Sequence, residues 1–324
     1  MNTLAIQSLT LGSKIVVLGA GAVGCYFGGM LARAGHAVTL IARPDHVAAI
    51  AKHGLYMDCL TFQEFVSVKA STDLAEVSQA DLILLCVKSP DSQKVVEAIS
   101  PFLVKNTIIL SLQNGVDNCE RIRQVTDRPV FPAVVYVATN MAGPGRLKHH
   151  GRGELAIGEW EAVGKSDEAD RAMLSLVASL FAASDVPCAV LPDIRKAQWS
   201  KFLVNCSYNA ISAIGNLSYG QMVQTESVRV LIDQLGQEVV QIAQRENIEL
   251  TLAEARQVND LIPQTMPGQH SSTAQDLGRK KPTEIEFLNG LIVRKGQEYG
   301  IPTPANQSVY ALVKMLEQAN EPAQ

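Results

Sequence analysis

Three polar residues in the segment RKAQWSKFLVNCSYNAISAIGN, namely Lys201, Asn205 and Asn209, recur every four positions. At 100° per residue they form one stripe, with about 6 Å between members along a helix axis. A lysine ammonium can give a proton to an oxygen on which negative charge builds, and two amides can hold a carboxylate or a carbonyl. Phe202, Leu203, Val204, Ile211 and Ile214 lie around them and should pack. An amide-lined stripe on an otherwise buried helix is costly unless something polar faces it. Spacing alone leaves two readings open: a stripe that faces a ligand, or a helix whose polar side faces solvent.

A second polar segment follows, HSSTAQDLGRKKPTEIEFLNG. Ser272 and Asp276 are an i, i+4 pair. Glu284 opens a helix after Pro282 and Thr283, where it either serves a ligand or complements the helix dipole. Thr283 and Glu286 have the spacing of a capping box, which gives Glu286 a structural role. The basic patch Gly278 to Lys281 reads as a solvated turn that could also steer an anion.

Near the N-terminus, KIVVLGAGAVGCYFGGMLARAGHAVTLIAR carries glycines spaced G-x-G-x-x-G between a strand-like run and a helix-like one. In that context Gly19 makes the tight turn, Gly21 lets a pyrophosphate approach the backbone, and Gly24 lets the helix pack on the sheet. The candidate phosphate-binding turn is Gly19, Ala20, Gly21, Ala22, Val23 and Gly24, completed by the N–H groups of the helix start. About 20 residues further on, the second strand ends on Arg43 where an acid would read the ribose 2′-hydroxyl of NAD. A guanidinium there suits a 2′-phosphate, so the expected cofactor is NADP(H). The other readings are a solvated loop arginine and, through Asp45, use of NAD. Lys88, at the end of ADLILLCVKS, is a candidate second contact to the same phosphate.

The elements that must position these residues fall into two textures. Residues 1–192 alternate strand and helix patterns, and the strands KIVVLG, HAVTLIAR, ADLILLCVKS and NTIILSLQNG are continuous apolar runs, which implies a parallel sheet covered on both faces. GLYMDCLTFQEFVSV reads as a hairpin insertion, and AGPGRLKHHGRGELAIGE as antiparallel strands at the sheet edge, with His149 and His150 exposed. Residues 193–324 have 3.6-period segments broken at Gly215, Pro263 to Gly268, Pro282 and Gly300 to Pro304, and should be all helical. The expected architecture is α/β, a doubly wound nucleotide-binding domain followed by an all-α domain.

Composition excludes several partner classes. A net charge of −4 over 324 residues, with 47% hydrophobic and 19% charged residues, argues against nucleic acid. No apolar run approaches the roughly 20 residues that span a bilayer. Residues 1–13 lack a secretory pattern and read as a short extension or tag remnant. Six scattered cysteines without C-x-x-C pairs suit reduced thiols in a cytoplasm. The six histidines show no metal-ligand spacing, so no metal is expected. No G-x-S-x-G nucleophile turn is present.

Taken together, the motifs resemble the ketopantoate reductase (2-dehydropantoate 2-reductase) family over nearly the whole chain from Lys14. The resemblance rests on G-A-G-A-V-G, V-K-S at Lys88, Q-N-G at Gln113 to Gly115, P-G-R-L-K-H-H-G, L-A-I-G-E, W-S-K-F-x-x-N-x-x-x-N, S-S-x-x-x-D and T-E-I-E-F-L-N-G. It implies a Rossmann domain and a helical domain, with NADPH and a small 2-oxo acid meeting between them. It further implies that Lys201 is the catalytic lysine, that Asn205 and Asn209 bind substrate, and that Ser272 contacts its carboxylate. Asp276 shares the Ser272 motif and is grouped with the substrate-binding residues. By the same likeness Glu284 is the acid near the substrate hydroxyl, and Asn114 is an amide beside nicotinamide and lysine that serves both ligands. The chain departs from the family at Thr273, which stands where members commonly have methionine, and at Gln269 and His270, near an asparagine place. That leaves room for a reductase of another small 2-oxo acid. An NADP-binding sensor without chemistry would need neither Lys201 nor Glu284, and a dehydrogenase of 3-hydroxy acids or opines lacks the T-E-I-E-F-L-N-G segment. The partner expected is a small 2-oxo acid, with no nucleic acid and no membrane. Apolar helical faces of the second domain could pack internally or across a homodimer.

Overall fold

The computed structural model describes residues 9, 12–160 and 168–320, so most of the expected N-terminal extension, at 1–8, 10 and 11, lies outside the described residues. The chain forms two compact units, Met1–Ile194 and Arg195–Gln324.

The first unit begins with β1 (Lys14–Leu18), α1 (Ala22–Arg33), β2 (Ala37–Ile41), α2 (Pro44–His53), β3 (Leu55–Asp58), β4 (Gln63–Val66) and β5 (Lys69–Ser71). It continues through β6 (Leu82–Leu85), α3 (Ser92–Ile99), β7 (Ile108–Ser111), α4 (Asn118–Arg123), β8 (Val130–Gly143), β9 (Arg146–Ile157), α5 (Glu168–Ala182) and β10 (Cys188–Val190). These strands make one sheet in the order β4-β3-β9-β8-β7-β6-β1-β2-β5, with β10 also on β9. From β5 to β8 every pairing is parallel. The chain runs outward from β1 in both directions, through β2 to β5 and through β6 to β8, which makes a doubly wound sheet with its reversal of strand order beside β1.

Continuous apolar strands follow from burial on two faces. Ile15 and Val17 join the core that holds α1 and α5, whereas Val16 and Leu18 join the one that holds α3 and α4. The strands predicted at the sheet edge are not there: β9 pairs antiparallel with β8 on one side and parallel with β3 and β10 on the other. The outer strand on that side is β4, so the hairpin insertion itself supplies the edge. His149 is correspondingly buried rather than exposed, its ring 4.7 Å from that of Tyr26, while His150 is exposed.

The second unit carries α6 (Ile194–Gly215), whose first residue closes the preceding unit, then α7 (Tyr219–Met222), α8 (Glu226–Arg245) and α9 (Leu252–Thr265). It ends with α10 (Ser272–Gly278), α11 (Asn289–Tyr299) and α12 (Pro304–Asn320); all regular elements among its described residues are helical. Pro263 does not break α9 as the sequence suggests. Proline removes the donor for the carbonyl four residues back. That carbonyl, on Asn259, accepts the Tyr208 hydroxyl of α6 at 2.8 Å instead, so the helix continues to Thr265.

A Cβ added at Gly24 would lie 2.5 Å from the Gly19 carbonyl oxygen and 2.8 Å from Val17 Cγ1, whereas at Gly21 it would meet nothing within 4 Å. Gly24→Ala should therefore destabilise the protein by about 1–3 kcal/mol. Gly21→Ala should stay near wild type; urea unfolding midpoints compare the two.

Candidate active site

In the first unit the candidate residues gather at the carboxyl ends of adjacent strands. Leu18 pairs with Ile41 and with Leu85, and Leu85 with Ser111, so the loops that follow β2, β1, β6 and β7 stand side by side about 4.8 Å apart. They carry Arg43, the glycine turn, Lys88 and Asn114 in that order. Gly19 has φ +94°, and a Cβ there would lie 2.7 Å from the Val87 amide nitrogen. Only glycine fits. The amides of Gly19 and Ala20 both donate to the Ile41 carbonyl, at 3.3 and 3.0 Å, which fixes the turn to the end of β2.

Gly21 is the N-cap of α1, with no side-chain cap and no acid in the first turn. The first N–H groups of the helix thus keep their partial positive charge uncompensated by a carboxylate, and the open space over Gly21 leaves room for an anion. These residues fit a dinucleotide pyrophosphate. Arg43, exposed, is the N-cap of α2, and Lys88, half-buried, precedes a 3₁₀ turn at Ser89–Asp91; they flank the glycine turn from the two neighbouring strands. Asp45 is exposed in the first turn of α2.

What supports this turn is not signalled by any local sequence pattern. His46 Nδ1 accepts the Gly145 amide at 2.8 Å, so its Nε2 carries the hydrogen that points to Cys25 Sγ, 3.3 Å away. Cys25 in turn donates to the Ala20 carbonyl at 3.4 Å. A backbone amide of the β8–β9 turn is thereby linked through two buried side chains to the glycine turn. Burial pushes the Cys25 thiol up to about 12, which keeps it protonated as that donor. All six cysteines are free.

In the second unit Lys201, Asn205 and Asn209 share one face of α6 as the spacing requires, Lys201 and Asn205 half-buried and Asn209 buried. Asn209 Oδ1 accepts the Tyr219 hydroxyl at 3.4 Å. The segment with Ser272 is docked onto the same helix by its neighbour. Ser271 donates its hydroxyl to the Asn209 carbonyl at 3.0 Å and its amide to Ser212 Oγ at 3.2 Å, and caps α10 by accepting from the Ala274 amide. Motif spacing does not single out Ser271, although a serine before an apolar-periodic run is a helix-start signal. Ser272 is left exposed, Asp276 is half-buried one turn on, and Thr273 is buried.

Glu284, half-buried, does not open a regular helix; it precedes a 3₁₀ turn at Ile285–Phe287, and α11 begins only at Asn289. Nor does the capping box form. The Thr283 amide and hydroxyl both donate to Glu317 of α12, at 2.7 and 2.6 Å, and Glu286 pairs with Arg294 and Tyr310. A carboxylate from a distant helix outcompetes the local one. Ile285 packs with Ala210 of α6, and Asn289 Nδ2 donates to the Cys206 carbonyl at 2.9 Å, so the Glu284 segment is also moored to α6. Among the described residues no cluster of His, Cys, Asp and Glu is placed to hold a metal, and no helix is long and apolar enough to cross a membrane.

Comparison with known proteins bears on this pair of sites. The family described as "Ketopantoate reductase PanE/ApbA" matches residues 15–162, and its C-terminal counterpart matches residues 193–317. This chain belongs to the ketopantoate reductase family. It is an oxidoreductase of a nicotinamide-dependent kind. It is 32% identical to the 2-dehydropantoate 2-reductase of Vibrio cholerae, covering 94% of this chain and 98% of that one, and 31% identical to the enzyme of Pyrococcus horikoshii, covering 94% and 97%. Among solved structures, a PanE/ApbA family ketopantoate reductase from Ralstonia eutropha superposes with a TM-score of 0.88 at 47% identity, covering 95% of this chain and 99% of that chain. A D-mandelate dehydrogenase, in a ternary complex with NADH and anilino(oxo)acetate, superposes with a TM-score of 0.87 at 26% identity, covering 95% and 99%.

The His46 chain predicts an acid limit on this reductase's stability. Burial lowers the His46 pKa, with Asp45 opposing and Arg43 adding to the effect. The unfolded chain therefore takes up the proton first. The stabilisation is complete above the unfolded value of about 6.5 and fades as pH falls through the lower folded value. Thermal melts should lose midpoint between pH 7.5 and pH 5. His46→Gln, which can accept from Gly145 and donate to Cys25 without titrating, should flatten that loss.

Proposed function

We propose that the protein reduces 2-dehydropantoate to pantoate with NADPH, as its curated relatives' names suggest. The observation that carries the reading is the α6 stripe: one lysine and two amides on a single face, with the Ser272 and Glu284 segments both fastened to the same helix. A solvated helix face would need neither attachment.

In this reading the two units divide the work. Gly19 to Gly24 and the start of α1 would hold the cofactor pyrophosphate, Arg43 and Lys88 its 2′-phosphate, and Asn114 its nicotinamide end. The bound cofactor supplies a hydride to a carbonyl carbon. The protein's own task is at the oxygen, where charge develops. The Lys201 ammonium stabilises that charge and gives the proton that makes the hydroxyl. Glu284 accepts a hydrogen bond from the new hydroxyl and fixes its direction. Asn205, Asn209 and Ser272 hold the carboxylate and the ketone in register with the ammonium, with Asp276 beside Ser272 bordering the acyl group. Restricting that motion lowers the entropic part of the barrier.

A second reading has its own support. The mandelate dehydrogenase superposes about as well as the ketopantoate reductase, and Thr273 and Gln269 depart from the family pattern within the proposed acyl region. The substrate is then another small 2-oxo acid with the same lysine chemistry. The loss of NADPH absorbance on adding ketopantoate, branched 2-oxo acids and phenylglyoxylate separates the two. Turnover highest with ketopantoate supports the first, and turnover confined to another acid replaces it.

Lys201→Ala should lower kcat by about 100- to 10,000-fold, with NADPH affinity near wild type. Full turnover would remove Lys201 from the acid role. Arg43→Asp should shift the ratio of kcat/KM for NADPH over NADH by about 10- to 100-fold toward NADH, the worth of one charge-assisted contact. An unchanged ratio dismisses the phosphate contact.

A further inference from the structure

A buried amide stands behind Lys88. Gln113, in the loop after β7, is 8% exposed, and its side chain spans to the loop after β6. Its Nε2 donates to the Val87 carbonyl at 2.8 Å and to Ser92 Oγ at 2.6 Å, while its Oε1 accepts the Ser111 hydroxyl at 3.0 Å. Ser92 passes the hydrogen bond on, donating to the Ser89 carbonyl at 3.0 Å. Arg121 donates to that same carbonyl at 3.0 Å.

The backbone on both sides of Lys88 is thus held by one amide, directly at Val87 and through Ser92 at Ser89. The direction of the chain is set, because turning the amide over would place its oxygen against the Val87 carbonyl. Val87 is confined from the other side as well: its amide nitrogen is what forbids a Cβ at Gly19. Ser89 also reaches across, donating to the Asn114 carbonyl at 3.2 Å, which accepts the nearby Asn118 side chain as well, at 2.6 Å. Every bond from Gln113 and Ser92 to the backbone ends on a residue adjoining Lys88.

We propose that Gln113 is a positioning residue for cofactor selection, one that acts through Lys88 by fixing where that ammonium meets the 2′-phosphate of NADPH. The proposal rests on the reading of Lys88 as a phosphate contact. A hydrocarbon at 113 takes the Gln113 donor from the Val87 carbonyl and from the Ser92 oxygen, which keeps only the bond it donates to Ser89, so the loop must shift to rehydrate them. Lys88 shifts with it. NADH lacks the 2′-phosphate and does not register the change.

The test is a set of dissociation constants for NADPH and NADH, from nicotinamide fluorescence, on the full chain and on Gln113→Leu, Lys88→Ala and the double variant. Gln113→Leu should weaken NADPH about tenfold and NADH less than about twofold, tenfold being about 1.4 kcal/mol. In the Lys88→Ala background the same change should alter the NADPH constant less than about twofold, since the two act as one unit. Equal weakening of both cofactors, or additive losses in the double variant, overturns the proposal, because a merely structural glutamine would give either. An unchanged NADPH preference in Lys88→Ala overturns the phosphate reading and the positioning role together; an unchanged preference in Gln113→Leu alone overturns only the positioning role. Should Gln113→Leu fail to fold, Ser92→Ala cuts the relay with a smaller perturbation and is put through the same cycle.

Discussion

The Ile41 carbonyl oxygen accepts two amide hydrogens, from Gly19 and Ala20, and that shared acceptor decides how β1 can end. The chain must turn at once, with a positive φ, over a backbone so close that no side chain fits. From that turn follow the start of α1 with its uncapped N–H groups and the reversal of strand order beside β1. The alignment of four strand-end loops along one edge follows too. Weakening the turn would move the reference point from which Arg43, Lys88 and Asn114 are all measured.

Much of this edge was legible in the sequence because it is built from local rules. Glycines at 19, 21 and 24 have a meaning at fixed spacing, and runs such as LILL in β6 announce strands buried on both faces. The α6 stripe was legible for the same reason, since one period governs it. What stayed hidden was decided by partners distant in sequence. Nothing near Thr283 shows that Glu317 will take its hydrogen bonds, and nothing near Pro263 shows that Tyr208 will serve the carbonyl the proline orphans. His149 reads as exposed in an alternating strand until Tyr26 is placed on it. The edge position assigned to β9 failed likewise, because β3 and β10 come from elsewhere to cover it.

The helical unit follows a different plan from the sheet. Its long helix α6 is the common anchor to which the later segments attach, and they do so by polar groups that seek its backbone or its small hydroxyls: Ser271 to Asn209 and, through its amide, to Ser212, Asn289 to Cys206, Asn259 to Ser207. Asn289 also meets Asn306, whose amide and side chain bind Glu238 of α8, so the mooring of the Glu284 segment reaches through the unit. Such buried networks stabilise only when complete, which ties the posture of the candidate substrate residues to the integrity of the entire bundle.

The attachment through Ser271 has a practical side. Because the grip on α6 is made by that serine's hydroxyl and amide, the segment's footing does not depend on the exposed side chain of Ser272 or on Gln275, which bonds the His270 carbonyl. They can be randomised in a library while the segment stays moored. A scaffold arranged in this way lends itself to retargeting by directed evolution, with new acyl groups accommodated by exchanging a few surface letters on a helix whose footing does not change.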